Sequence, residues 1–163
     1  MTAKALTEKL GLKPGHTIFT IGGGDRLLEE IGEAIGEEGV VFALDSPPVL
    51  EKATAIGKAH AILFWVGQVE GLQAALQILR RRIREDGAIW AIITKKGYRG
   101  QEGLPRVKEI DIIEAAKGAG LVDVKVASLS ESLSLRDPVR TDPEGRGYAL
   151  KLVIPRHLRR GRW

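Results

Sequence analysis

Four short apolar runs, each separated from the next by a stretch of different periodicity, constrain this chain more than any other feature. They are TIFTI (17–21), VVFAL (40–44), AILFWV (61–66) and GAIWAII (87–93). Runs this short, rich in β-branched and aromatic residues and free of polar alternation, are the mark of strands buried on both faces. Between the first two, Leu27, Leu28, Ile31, Ala34 and Ile35 recur at helical spacing, and Gly36 and Gly39 close the pattern. Asp25, Glu29 and Glu30 stand near its start, where acids suit the positive end of the helix dipole. A second helix opens at DSPPVLEKATAIGKA, with Asp45 or Ser46 as N-cap and a proline near its first turn. A third covers 69–85, with Leu72, Leu76, Leu79 and Ile83 on one face. Strands alternating with helices in this way predict a parallel sheet covered on both sides.

The flanking segments complete the expectation. Residues 2–10 form a short helix through Leu6 and Leu10, with Gly11 after its end, and Pro14-Gly15 marks a turn. TKKGYRGQEGLPR is a basic, glycine-rich loop, and a helix over 107–118 follows through Val107, Ile110, Ile113 and Ala116. LVDVKVASL (121–129) and YALKLVI (148–154) alternate polar with apolar residues, and no helical pattern joins them, so they read as an antiparallel pair. The expected fold is three-layer α/β, with a mostly parallel six-stranded sheet and that antiparallel strand pair at one edge. No repeat or linker divides the chain, so 1–155 is expected to be one domain and 156–163 a basic tail.

Composition removes several function classes. The chain has 163 residues, enough for one core, and no cysteine, which excludes disulfides, thiolate metal sites and a cysteine nucleophile. No apolar run approaches the ~20 residues needed to span a bilayer. MTAKALTEKL lacks the apolar centre of a signal peptide, so the expected location is the cytoplasm. Asparagine is absent, methionine occurs once and 28% of residues are charged, a composition like that of thermophile proteins. Surplus arginines then serve stability as readily as a ligand. A net charge of +4 permits nucleic-acid binding without requiring it.

The turn Gly22, Gly23 and Gly24 joins the first strand to its helix. There a backbone without Cβ atoms lets a ligand approach, and the helix N-terminus favours an anion or nucleoside. Asp45 ends the second strand, roughly the ~20 residues downstream at which an acid meets ribose hydroxyls. A full dinucleotide pattern is broken by Leu27 or by Arg26, depending on the starting glycine, and no phosphate-binding G-x-x-x-x-G-K-[ST] occurs. The plainer alternatives are a sharp bend at the glycines and a helix cap at Asp45.

Other residues divide the same way. Lys95 and Lys96 follow the fourth strand and suit a phosphate or carboxylate, or simply a solvated loop. Trp65 and Trp90, in neighbouring strands, read as core rather than as stacking platforms. Arg80, Arg81, Arg82 and Arg84 gather at a helix C-terminus, where the dipole favours cations. The tail RHLRRGRW fits nucleic-acid phosphates or a solvated terminus. The stretch 128–147 fits a lid or a plain edge connection. His16, His60 and His157 show no ligand spacing, and no metal site is expected.

TIGGGDR, the acid at 45 and the reversed last strands together resemble the class I S-adenosylmethionine-dependent methyltransferases, whose Rossmann-like fold has an acid-x-G-x-G-x-G loop after its first strand. The resemblance covers nearly the whole chain. It implies cofactor contacts at Gly22, Gly23, Gly24 and Asp45, and at Gly67 and Gln68 against the adenine or methionine part. Thr20 stands at the family's acid and Arg26 at its last glycine. One strand-helix unit is missing before AILFWV, and GQVEG replaces the Asn/Asp-Pro-Pro-aromatic motif of amino-directed enzymes. The absence of cysteine closes the cysteine route to carbon-5 of pyrimidines, and no insertion is large enough for a substrate domain. Residues 86–136 also resemble a group of small bacterial proteins of unestablished activity.

Three functions are compatible with these residues. The first is binding of S-adenosylmethionine or a related nucleoside, with methyl transfer to a small-molecule or nucleic-acid substrate. Such chemistry consists mostly of positioning two reactants, so the lack of a recognisable general base does not exclude it. The second is a non-catalytic interaction module, as a homo-oligomer subunit or a partner of another protein. The third is a nucleic-acid accessory protein using Arg80–Arg84 and the basic tail.

Overall fold

The computed structural model describes residues 10–21, 31–33, 35–44, 57–66, 69–94, 107–128 and 147–155. Six strands form one sheet: β1 (Thr17–Ile21), β2 (Val40–Leu44), β3 (Ala59–Trp65), β4 (Ile83–Thr94), β5 (Val122–Ser128) and β6 (Gly147–Val153). Two helices, α1 (Leu72–Arg80) and α2 (Glu109–Gly118), connect the later strands. The strand order is β2-β1-β3-β4-β6-β5. β1 to β4 run parallel, and β6 lies antiparallel between β4 and β5. The expected sheet, with its reversed strands at one edge, is therefore present.

Alternate side chains of the sheet feed two cores. On one face Phe19, Ile62, Ile89 and Leu150 pack with Leu72, Leu76 and Leu79 of α1 and Ile112 and Ala116 of α2. On the other, Ile18, Leu63, Trp90 and Ile92 pack with Leu10, Leu12, Ile31 and Ile35. Residues 31–33 and 35 are helical, so helices flank the sheet on both sides. Trp65 and Trp90 both lie in this second core, as their positions in the apolar runs suggested. Trp90 is buried, its polar edge included, and its Nε1–H donates to the Leu10 carbonyl at 3.1 Å. That bond satisfies a buried donor and anchors the chain ahead of β1. Of the helix expected over 2–10, residues 2–9 fall outside the described residues and Leu10 lies in a turn; of the segment 45–59, residues 45–56 fall outside them, and Ala59 already opens β3.

Two expectations are corrected. The helix read over 69–85 ends at Arg80, and Ile83 belongs to β4, where it pairs with Ala59. Ile83 continues the four-residue spacing from Leu79 and is buried in the same core, so periodicity alone carried the helix too far. The chain leaves the helix because the Arg82 carbonyl accepts the Ala59 N–H at 2.8 Å, which draws it into the sheet. The second correction concerns β2. Its apolar run predicts a strand buried on both faces, but β2 is the sheet edge, and Val40 and Ala43 are exposed.

α2 ends as its sequence predicts. Gly120, at φ 79°, follows the last turn. Leu121 N–H returns to the Ala116 carbonyl at 2.8 Å and Gly120 N–H to Lys117 at 3.3 Å, a pairing in which a left-handed residue closes the orphan carbonyls. Arg80, in the last turn of α1, donates from Nε to the Gly120 carbonyl at 3.0 Å, so one member of the arginine cluster joins the two helices. No helix among the described residues is long and apolar enough to cross a membrane.

Candidate functional site

The four parallel strands end in register. Ile21, the last residue of β1, pairs with Leu44, the last of β2, and on its other side with Phe64 of β3. Phe64 pairs with Ala91 of β4, and the Val66 N–H reaches the Ile92 carbonyl at 2.9 Å. The chain passes from β1 to β2 on one side, while β3 lies on the other. The gap between the carboxyl ends of β1 and β3 is thus the topological switch point, where open α/β sheets take their ligands.

Gly22, Gly23, Gly24, Asp45, Gly67, Gln68, Lys95 and Lys96 lie outside the described residues. Gly22 directly follows Ile21, Asp45 follows Leu44, Gly67 follows Val66 and Lys95 follows Thr94. The strands that precede these segments, β1 to β4, all run parallel and end towards one edge of the sheet. The stretch 129–146 and the tail 156–163 also lie outside the description.

Within the described residues, Thr20 is the informative group beside that edge. It is the penultimate residue of β1, paired with Ala43 and Leu63. It is 1% exposed, the buried polar side chain of an otherwise apolar core, and its Oγ1 has no hydrogen-bond partner among the described residues. An enclosed hydroxyl without a partner costs folding free energy of about 1–3 kcal/mol. Its neighbours in β1 are Ile18, Phe19 and Ile21, so Thr20 is the polar exception at the carboxyl end of the strand.

The sequence reading missed a second cluster, at the opposite edge. His16, just before β1, and His60, near the start of β3, stack with ring centroids 4.3 Å apart and planes 6° from parallel. Thr17 N–H donates to His60 Nδ1 at 2.9 Å, and Lys13 N–H to His16 Nδ1 at 3.3 Å. Both imidazoles are held below the usual histidine range. For His16 the causes are burial first, then the neighbouring His60 and Lys13; for His60 they are burial, then Arg84, while Asp86 opposes the shift in each. The two histidines are far apart in sequence, and only the β1–β3 register brings them together.

The backbone arrangement matches many solved structures. A SAM-dependent methyltransferase from Aquifex aeolicus superposes with a TM-score of 0.63 at 17% identity, over 94% of this chain and 89% of that one. Aeropyrum pernix fibrillarin, solved with natively bound S-adenosyl-L-methionine, gives 0.60 at 16%, over 88% and 69%. Precorrin-6y C5,15-methyltransferase from Geobacter metallireducens gives 0.59 at 12%, over 94% and 86%. No family model matches the chain, and no curated protein matches it by sequence. At these identities the likeness concerns the fold: this chain has the Rossmann-like fold of the class I S-adenosylmethionine-dependent methyltransferases.

Proposed function

We propose that the chain binds S-adenosylmethionine at the carboxyl edge of β1 and β3 and transfers its methyl group to a small-molecule or nucleic-acid acceptor. The observation that carries this reading is the buried, unpartnered Thr20 hydroxyl beside the switch point, in the strand that runs into Gly22. It offers a donor and an acceptor where the related fold has an acid. The solved neighbours support the same ligand class, because fibrillarin of this fold was found with S-adenosyl-L-methionine.

In this reading Gly22, Gly23 and Gly24 admit the ligand close to the backbone, and Asp45 accepts hydrogen bonds from the ribose. Gly67 and Gln68 meet the adenine or methionine part. Lys95 and Lys96 suit an anionic acceptor. When bound, the cofactor supplies a methyl group activated by its sulfonium charge. The protein's own contribution is to orient that ligand and the acceptor in line and to exclude water, which needs no dedicated base.

Calorimetric titration of the folded protein with S-adenosylmethionine and S-adenosylhomocysteine tests this, with a nicotinamide dinucleotide as control. Micromolar binding that Asp45→Ala abolishes is the expected result. Heat-silent titrations in protein free of carried-over ligand would overturn it and favour the second reading, a non-catalytic interaction module. That reading draws on Thr20 in place of the acid and on β2 as one of the two edge strands of the sheet.

A further inference from the structure

A cavity of about 340 Å³ opens at the amino edge of the sheet, and the stacked histidines form part of its wall. His16 precedes β1 and Ile21 ends it, so at ~3.3 Å per strand residue this cavity lies about 16 Å from the carboxyl end of that strand. It is a separate place in the fold, and the proposed cofactor chemistry leaves it without a role.

Its polar lining is mostly made of hydrogen-bond donors. Nδ1 of each imidazole accepts a backbone N–H. In the neutral ring the proton then sits on Nε2, so each histidine keeps an N–H donor to offer. Lys13 and Lys151 also line the cavity, and the Lys151 ammonium sits 5.9 Å from the centre of the Trp90 ring. The acid in the lining is Asp86, whose carboxylate lies 3.8 Å from Arg84 Nε. With Arg84 counted beside it, the site has three cations against one acid, a net charge of +2, together with two neutral imidazole donors.

We infer that this cavity binds the phosphate group of a small phosphorylated metabolite, held by the Lys13 and Lys151 ammoniums and by the imidazole N–H groups of His16 and His60. A phosphate monoester carries close to two negative charges above its second pKa of about 6, which equals the lysine charge of the lining. The volume lies near the lower end of small-molecule pockets, at about 300 Å³. That leaves room for a small organic group beside the phosphate. Charge-assisted hydrogen bonds of this kind discriminate strongly for a dianion.

The test is NMR titration of the wild-type protein at pH 7.5, following backbone amides and the histidine side-chain nitrogens. Inorganic phosphate, a sugar phosphate, a dicarboxylate and a short oligoribonucleotide serve as separate probes. The expected result is that the sugar phosphate shifts His16, His60 and the amides around Lys13 and Gly87, and binds more tightly than phosphate or dicarboxylate. Lys13→Gln with Lys151→Gln should weaken it at least about tenfold, which corresponds to about 1.4 kcal/mol. Lys13 is exposed, so Lys13→Gln alone provides a partial loss should the double variant fold poorly. Asp45→Ala should bind the sugar phosphate unchanged, which separates this site from the cofactor edge. No shifts at tens of millimolar, shifts confined to other surfaces, equal affinity in the lysine variants, or response to the oligoribonucleotide alone would each overturn the assignment.

Discussion

The imidazole of His60 stacks on that of His16, 4.3 Å away, and each ring accepts a backbone N–H at Nδ1. Protonation would put a hydrogen on that nitrogen, against an N–H already directed at it, and would place two positive rings face to face. Both pKa values are lowered from 6.5, that of His16 by burial, then His60, Lys13 and Arg84, and that of His60 by burial and Arg84, with Asp86 as the opposing charge in each. In the unfolded chain the same histidines take up protons around pH 6.5. The unfolded state therefore binds more protons just below that pH, and stability falls as the pH drops from about 6.5 towards the lowered folded values. Above that window the contribution is fully present and flat. Urea unfolding at pH 7.5 and 5.5 measures it. The wild type should lose stability on acidification, and His16→Phe, which keeps a flat ring without a titrating group, should lose less. Equal losses in the two proteins would contradict the stacked, neutral pair.

Gly87 lies beneath the same cavity for a steric reason. β4 carries extra residues against β3, since Ala59 pairs with Ile83 and Ala61 already with Ala88. The strands close again at Gly87, where a Cβ would stand 2.8 Å from the His60 carbonyl oxygen, 3.1 Å from that of Arg84 and 3.2 Å from that of Ala59. All three are backbone atoms that cannot rotate away. Gly87→Ala should cost about 1–3 kcal/mol, the usual penalty for overpacking, and should disturb the His60 ring resonances. A melting temperature equal to the wild type would show that the bulge relaxes freely.

These two clusters also mark the boundary of what is legible in the sequence. β1 and β2 begin and end where their apolar runs do, because a glycine or an acid stops each run. The ends of β1 to β4, and with them the edge that Gly22, Asp45, Gly67 and Lys95 leave from, follow from the same alternation of strand and helix. The β4 start was misplaced because Ile83 satisfies helical spacing and strand burial at once. The edge position of β2 depends on which strand lies beside it, and an apolar run carries no such information. The histidine pair was invisible for a related reason. Thr17 meets His60 through the lateral register of β1 on β3, and strands buried on both faces show no polar alternation that would fix a register.

Thr20 links stability to function most directly. Its hydroxyl is enclosed between β2 and β3 without a partner among the described residues. Valine has nearly the same shape and needs no hydrogen bond there. Thr20→Val should therefore raise stability by about 1 kcal/mol, the lower part of the range for removing an unsatisfied buried polar group. If the hydroxyl is kept for a ligand at the switch point, the same variant should bind S-adenosylmethionine several-fold more weakly while melting at a higher temperature. The two readouts move in opposite directions only when the hydroxyl has a ligand to serve. Higher stability with unchanged affinity would make Thr20 a packing residue and detach the proposed cofactor site from it. Lower stability would mean that the hydroxyl already has a structural partner in the folded protein.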